Sequence, residues 1–134
     1  MPIDAALVGR EFPPTAPYTI TEVKLREFAA ATGTPYTEGG PAPATFPVVV
    51  SFAAMNGFLE AERLDLFRIV HGDQRFVHER PLRAGDVVSA RLTVDSVRSL
   101  GGADVIGTTS VISDQDGVTV CTAKATLVHR GDPA

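Results

Sequence analysis

Apolar and polar positions change period along this chain, and the changes mark its elements. From Tyr18 to Gly33, the residues Leu25, Phe28, Ala29 and Thr32 recur at the spacing of a helix with one packed face. Thr19 or Thr21 is placed to cap its start, and Glu22 stands three residues after Thr19, as a capping box requires. Gly33 and Pro35 end it, because glycine accepts the left-handed turn and proline cannot continue a helix. The stretch from Thr34 to Pro43 is rich in proline and glycine and predicts a loop. A second element follows. Val48-Val49-Val50 alone favours a strand, but Thr45 as N-cap, Pro47 in the first turn and the run from Ala53 to Ala61 favour a helix. Between Phe46 and Phe58 the apolar side chains point nearly all round, interrupted by Ser51, Asn56 and Gly57. A helix apolar on every side is a buried one. The pattern therefore predicts a buried central helix from about Phe46 to Arg63, with Val49, Phe52 and Met55 inside.

Beyond it the period drops to two. Val88, Ala90, Leu92 and Val94 alternate with Ser89, Arg91, Thr93 and Asp95, so Val88, Leu92 and Val94 should face a core. Val70 to Arg80 reads as a more polar strand stopped by Pro81, with Arg83 to Asp86 turning the chain. Gly101-Gly102 and Asp116-Gly117 mark hairpin turns beside strands over Val105 to Ser113 and Val118 to Val128. The class is α+β: an antiparallel sheet wrapped around one long apolar helix.

Composition narrows the function. The 134 residues are 44% hydrophobic and 21% charged, enough for one domain over 1–134 with a real core. Net charge is −4 and the 12 cationic residues are scattered, which argues against nucleic acid or an anionic membrane as partner. Cys121 is the only cysteine, excluding a disulfide framework and a thiolate metal cluster. No apolar run reaches the roughly 18 residues a bilayer span needs, and Met1 to Arg10 lacks a signal-peptide pattern, so a cytoplasmic protein is expected.

Chemistry is sparse. His71 and His78 are seven apart, so on a regular strand they face opposite sides and cannot share a metal; His129 ends the last strand beside a tail expected to fray. Cys121 sits among small residues, with the pattern of a packed side chain. Glu60 and Glu62 offer carboxylates but fit helix-end surface charges better. No phosphate-binding glycine loop, nucleophile elbow or His-Glu-x-x-His occurs. Neither metal nor cofactor is expected.

The ordered segments resemble a known family. Tyr18 to Gly33 resembles the opening helix of MaoC-like hot-dog dehydratases and hydratases, and Ala42-Pro43-Ala44-Thr45-Phe46-Pro47 the approach to their central helix. Val70 to Phe76 with Pro81 to Asp86 resembles their first long strand and turn. The likeness covers nearly the whole chain, with no single decisive motif. It is nearest to the non-catalytic half of two-part (3R)-hydroxyacyl dehydratases, of the HadA and HadC type. It implies a hot-dog fold of five to six strands around a long central helix. It also implies an acyl thioester ligand, on coenzyme A or acyl carrier protein.

The departures are informative. Active halves carry an Asp and, a few residues later, a His just after the first helix, to handle the water added to or removed from the acyl thioester. Here the stretch reads Thr32-Gly33-Thr34-Pro35-Tyr36-Thr37-Glu38-Gly39, without either. Active halves also present a glycine N–H at the start of the central helix, where this chain has Pro47, which has none to give. The resemblance thus implies a subunit with no catalytic residues of its own. It would pair with a catalytic MaoC-like subunit, or with itself, and shape an acyl tunnel along Phe46, Val50, Ala54, Met55 and Gly57. Two other readings stay open: a self-sufficient homodimeric enzyme, and a module that only binds acyl thioesters. The enzyme would be a thioesterase using Glu60 or Glu62, or a dehydratase using His71 with Asp73.

Overall fold

The computed structural model describes residues 5–130. A two-residue strand β1 (Tyr18–Thr19) leads into helix α1 (Glu22–Thr32), and a loop connects this to helix α2 (Val48–Ala61). A single 3-10 turn, Leu66–Arg68, precedes strand β2 (Ile69–His78). Strands β3 (Val87–Leu100), β4 (Ala103–Asp114) and β5 (Thr119–Arg130) follow as a meander. All pairings are antiparallel, in the order β1-β3-β4-β5-β2. This is the α+β hot-dog arrangement the resemblance implied.

Local chemistry explains most boundaries. Gly101 and Gly102 both take positive φ, as a two-residue hairpin loop with the twist of its strands demands. At the next hairpin, Asp114 accepts through Oδ1 from the N–H groups of Asp116 and Val118. Helix α1 is capped by Thr21, whose hydroxyl accepts from the Lys24 N–H, and Gly33 closes it at φ 67°. The Thr19–Glu22 box does not form: Thr19 lies in β1, which the sequence pattern did not reveal, and the Glu22 carboxylate goes elsewhere. Helix α2 starts later than expected. Pro47 is its N-cap and Thr45 supplies only a backbone carbonyl, to the Val48 N–H.

One side of α2 is buried, through Val50, Ser51, Ala54, Met55, Phe58 and Leu59. The core it joins contains Val88, Leu92 and Val94 of β3 with Ile106, Ile112 and Leu127 of β4 and β5. Val88, Leu92, Val94 and Met55 are thus inside as expected, and Val49 is half-buried against the core. Phe52 is not: 41% of it is exposed. A sheet covers only one side of a helix, so an apolar surface all round leaves Phe52, Ala53 and Gly57 outside within a single chain.

The two sheet edges differ. Along the outer edge of β3, residues 9–15 run as a strap: Gly9, Phe12 and Thr15 donate to the carbonyls of Val94, Leu92 and Ala90. The other edge is β2, ten residues long, with Val70 and Val77 exposed and no further strand beside it among the described residues. Strand β2 also carries a register shift at Gly72, between His71 opposite Leu127 and Asp73 opposite Thr126. A bulge of this kind reverses the alternation of side chains.

Arg80 ties the corner where β2 hands over to β3. Its guanidinium donates to both carboxylate oxygens of Asp86, at 2.9 and 3.4 Å, and lies 3.7 Å from Asp114. Burial alone would raise the Asp86 pKa, but hydrogen bonds from Arg80 and the Arg83 N–H outweigh it and hold it below 3.8. A carboxylate depressed by folding adds stability that is present above its unfolded pKa and lost as pH falls through the folded one. Asp86→Asn should therefore flatten the loss of stability below about pH 4 and lower stability at neutral pH. Urea midpoints measured from pH 2 to 7 check this; an unchanged acid limb would remove Asp86 from the account.

Candidate functional site

Three places bear on chemistry. The first is the loop after α1. Glu22, in the first turn of that helix, accepts the Tyr36 hydroxyl at 2.7 Å through Oε2 and the Gly39 N–H at 2.9 Å through Oε1. The Tyr36 hydrogen bond, with help from the Gly39 N–H, pulls the Glu22 pKa down. Burial first, and the Glu22 carboxylate second, push the Tyr36 phenol above its usual 10.0. Arg83 donates to the Gly39 carbonyl at 3.1 Å, and Arg26 lies 3.6 Å from Glu38. Thr32 and Thr34 join their hydroxyls at 2.8 Å. The loop is pinned from several sides, and from Gly33 to Pro47 it holds neither a histidine nor an aspartate.

The second place is the start of α2. In a catalytic helix start, free N–H groups would face a developing oxyanion. Here the N–H groups of Val48, Val49, Val50 and Ser51 already donate to the carbonyls of Thr45, Phe46 and Pro47, the last two both to Pro47. Pro47 itself has no N–H.

The third is a slot between α2 and the sheet, lined by Val48, Ser51, Phe52 and Met55 of the helix, His71 and Gln74 of β2, and Thr108, Ala123 and Ala125 of β4 and β5. The bulge at Gly72 brings His71 into this lining together with Gln74. His78, opposite buried Cys121, falls on that same helix-facing side, so His71 and His78 do not face opposite ways as a regular strand would have them. They remain seven residues apart along the strand, roughly 20 Å. Among the described residues no three His, Cys, Asp or Glu side chains are grouped to hold a metal.

The bulge also separates His71 from Asp73. The Asp73 carboxylate accepts from Arg75 Nε at 3.2 Å, one alternation away on the outer face, so the two do not form an acid–base pair. His78 Nε2 lies 2.8 Å from the Ala44 carbonyl. His129 is buried near the end of β5, with Nδ1 4.0 Å from Asp104 of β4, and the tail expected to fray beyond it lies outside the described residues. Glu62 lies 3.4 Å from Arg10, and Glu60 is exposed on the outer side of α2. Burial, with the nearby Glu79 charge, pushes the Cys121 thiol up to about 11, so it is no thiolate at neutral pH.

The five residues named for a tunnel are distributed between the core and two cavities. Phe46 and Val50 are buried core, and Phe46 packs edge-on against Phe28. Met55 lines the slot. Ala54 and Gly57 line a separate open cleft of about 420 Å³ between α2 and the strap around Phe12 to Ala16. The sequence analysis did not single out Thr108 and Gln74, which line the slot.

Comparison with known proteins agrees with this architecture. The family model described as FAS1-like, dehydratase domain region, matches residues 6–123. A UPF0336 protein of Leifsonia xyli subsp. xyli is 41% identical over 147 aligned positions, covering 98% of this chain and 99% of that one. A chain of the C-terminally truncated HadBC (3R-hydroxyacyl-ACP dehydratase) complex from Mycobacterium tuberculosis superposes with a TM-score of 0.82 at 28% identity. It covers 96% of this chain and 99% of its own. A MaoC-like dehydratase, matched over 94% of this chain and 43% of its own length, gives 0.77 at 26% identity. The chain belongs to the FAS1-like dehydratase-region family, on the MaoC-like hot-dog dehydratase fold.

Proposed function

We propose that this protein is the non-catalytic, acyl-chain-binding subunit of a heteromeric (3R)-hydroxyacyl-thioester dehydratase or enoyl-thioester hydratase. Its partner is a MaoC-like subunit that carries the Asp and His, and its ligand is an acyl-CoA or an acyl thioester of acyl carrier protein. The observation that supports this reading is the pinned loop from Gly33 to Gly39, the stretch where active halves carry their dyad, which here has neither an Asp nor a His and holds Tyr36 bonded to Glu22 of α1. General acid–base work on a β-hydroxyl needs a group that titrates near neutral pH, and neither does. The committed N–H groups at the start of α2 support the same reading, since none is left for a thioester oxygen.

Two further observations support a partner. The similar HadBC chain comes from a two-subunit dehydratase complex. The β2 edge is long, exposes Val70 and Val77, and among the described residues has no strand beside it, a surface that pairing with a second hot-dog chain would cover. A self-sufficient enzyme built on His71 finds no support, because Asp73 is taken up by Arg75.

The isolated chain should not hydrate crotonyl-CoA. Co-expressed with MaoC-like subunits that hold the Asp and His, it should co-purify with one of them and form an active complex. Sedimentation at micromolar concentration should show a dimer, with itself or with that partner. Hydration by the chain alone, or a stable monomer in the presence of every such subunit, would overturn the proposal.

A further inference from the structure

We infer that the slot between α2 and β2 binds one uncharged oxygen on an acyl chain, a hydroxyl or keto group, and that Thr108 and His71 select for it. The inference rests on the acyl-thioester reading above and adds which acyl chains the subunit prefers. The core around α2 is largely hydrocarbon, from Leu92 and Val94 to Ile106, Ile112 and Leu127. The slot breaks that pattern. Ser51 and Thr108 are buried hydroxyls, half-buried Gln74 joins them in the lining, and His71 stands exposed at the rim.

These groups are under-committed. Ser51 donates to the Val48 carbonyl at 3.3 Å and Thr108 to the Ala125 carbonyl at 3.4 Å, both at the long end for hydroxyl hydrogen bonds. Each hydroxyl keeps acceptor capacity. The His71 ring makes no hydrogen bond or ion pair among the described residues. Gln74 spends its amide N–H on the Lys124 carbonyl, at 3.1 Å. Such a cluster can both donate to and accept from a single oxygen.

Charge and size narrow the ligand. No lysine, arginine or carboxylate lines the slot, so an ionised oxygen would be desolvated without a counter-ion, and a neutral one would not. The remaining walls, Val48, Phe52, Met55, Ala123 and Ala125, suit an alkyl chain. The residual cavity is about 10 Å³, close to the room one water-sized group needs. Phe52 lies at its margin and is partly exposed, so its ring can swing outward to admit the chain beside that oxygen. Ala123 and Ala125 keep the floor low under such a chain.

The test uses the full chain, alone and in complex with its catalytic partner. Calorimetric titrations compare octanoyl-CoA with its 5- and 7-hydroxy analogues, whose added oxygen the dehydratase reaction does not use. At least one hydroxy analogue should bind roughly three- to tenfold tighter than octanoyl-CoA, the worth of one net hydrogen bond. Thr108→Val and His71→Leu should each erase most of that preference while leaving octanoyl-CoA affinity within about twofold, and Thr108→Ser should retain it. In nitrogen-proton spectra the His71 ring signals should move with the hydroxy analogue and not with octanoyl-CoA. If octanoyl-CoA binds and no analogue gains, or the gain survives both substitutions, the slot is not an oxygen site and the acyl-thioester reading stands. If no thioester binds the chain or the complex, both readings fall.

Discussion

Turnover of the complex is expected to fall by roughly 10²–10⁴ when the partner's Asp or His is replaced, and to stay within about threefold when Tyr36 of this chain becomes Phe. The first figure is the usual worth of a positioned general acid or base. The second follows from what Tyr36 does. It lies in the loop after α1, so on the proposed reading it is the group in this chain most open to a catalytic role. Its hydroxyl is committed to Glu22 at 2.7 Å, burial and that carboxylate hold its proton on, and the same hydrogen bond keeps Glu22 ionised. Neither group changes protonation near neutral pH. Tyr36→Phe removes one anchor of the loop, but the Gly39 N–H still meets Glu22 and Arg83 still holds the Gly39 carbonyl. Crotonyl-CoA hydration by the assembled complex checks the contrast. A collapse with Tyr36→Phe, in a complex that stays folded and assembled, would place chemistry in this subunit.

Leu92→Ala is expected to lose about 2–5 kcal/mol of folding stability, and Phe52→Ala less than about 1 kcal/mol. Both remove a large apolar side chain, so the difference lies in what surrounds each. Leu92 is 1% exposed in the middle of β3, and its carbonyl also receives the Phe12 N–H of the strap at 2.9 Å. Truncating it leaves a void that the paired backbone cannot close, which adds a cavity cost to the lost transfer energy. A domain's whole stability is about 5–15 kcal/mol, so this one change brings the fold near its limit. Phe52 is already partly in water and strips little from the core. Urea unfolding of the dissociated chain measures both. Equal losses would mean that Phe52 is a core residue and α2 is seated differently on the sheet.

Much of the fold was legible because its signals are local. The glycine pair at 101 and 102, the Asp116-Gly117 turn and the alternation from Val88 to Val94 each encode backbone geometry within a few residues. The lack of Asp and His from Thr32 to Gly39 and the proline at the helix start were likewise plain in the sequence. Other features were not. Strand β1 has two residues, too few for any period to show, and it exists because β3 offers an edge to pair with. Thr19 and Thr21 were equal candidates for the cap until β1 took Thr19.

By itself the sequence determined the two helices and four long strands, the hairpin turns, the buried set on β3 and the lack of an Asp or His between Thr32 and Gly39, since each depends on short-range spacing or on which atoms a residue has. Only the tertiary structure decided which side of α2 is covered, and so left Phe52 outside: periodicity reports an apolar surface, but a partner element must exist to bury it. It alone decided that a bulge at Gly72 turns His71 toward the helix and Asp73 toward Arg75, because register belongs to two strands and is written in neither. The same pairing carried His129 into a buried position beside Asp104, and gathered Ser51, His71, Gln74 and Thr108, spread over 58 positions of sequence, around one small slot.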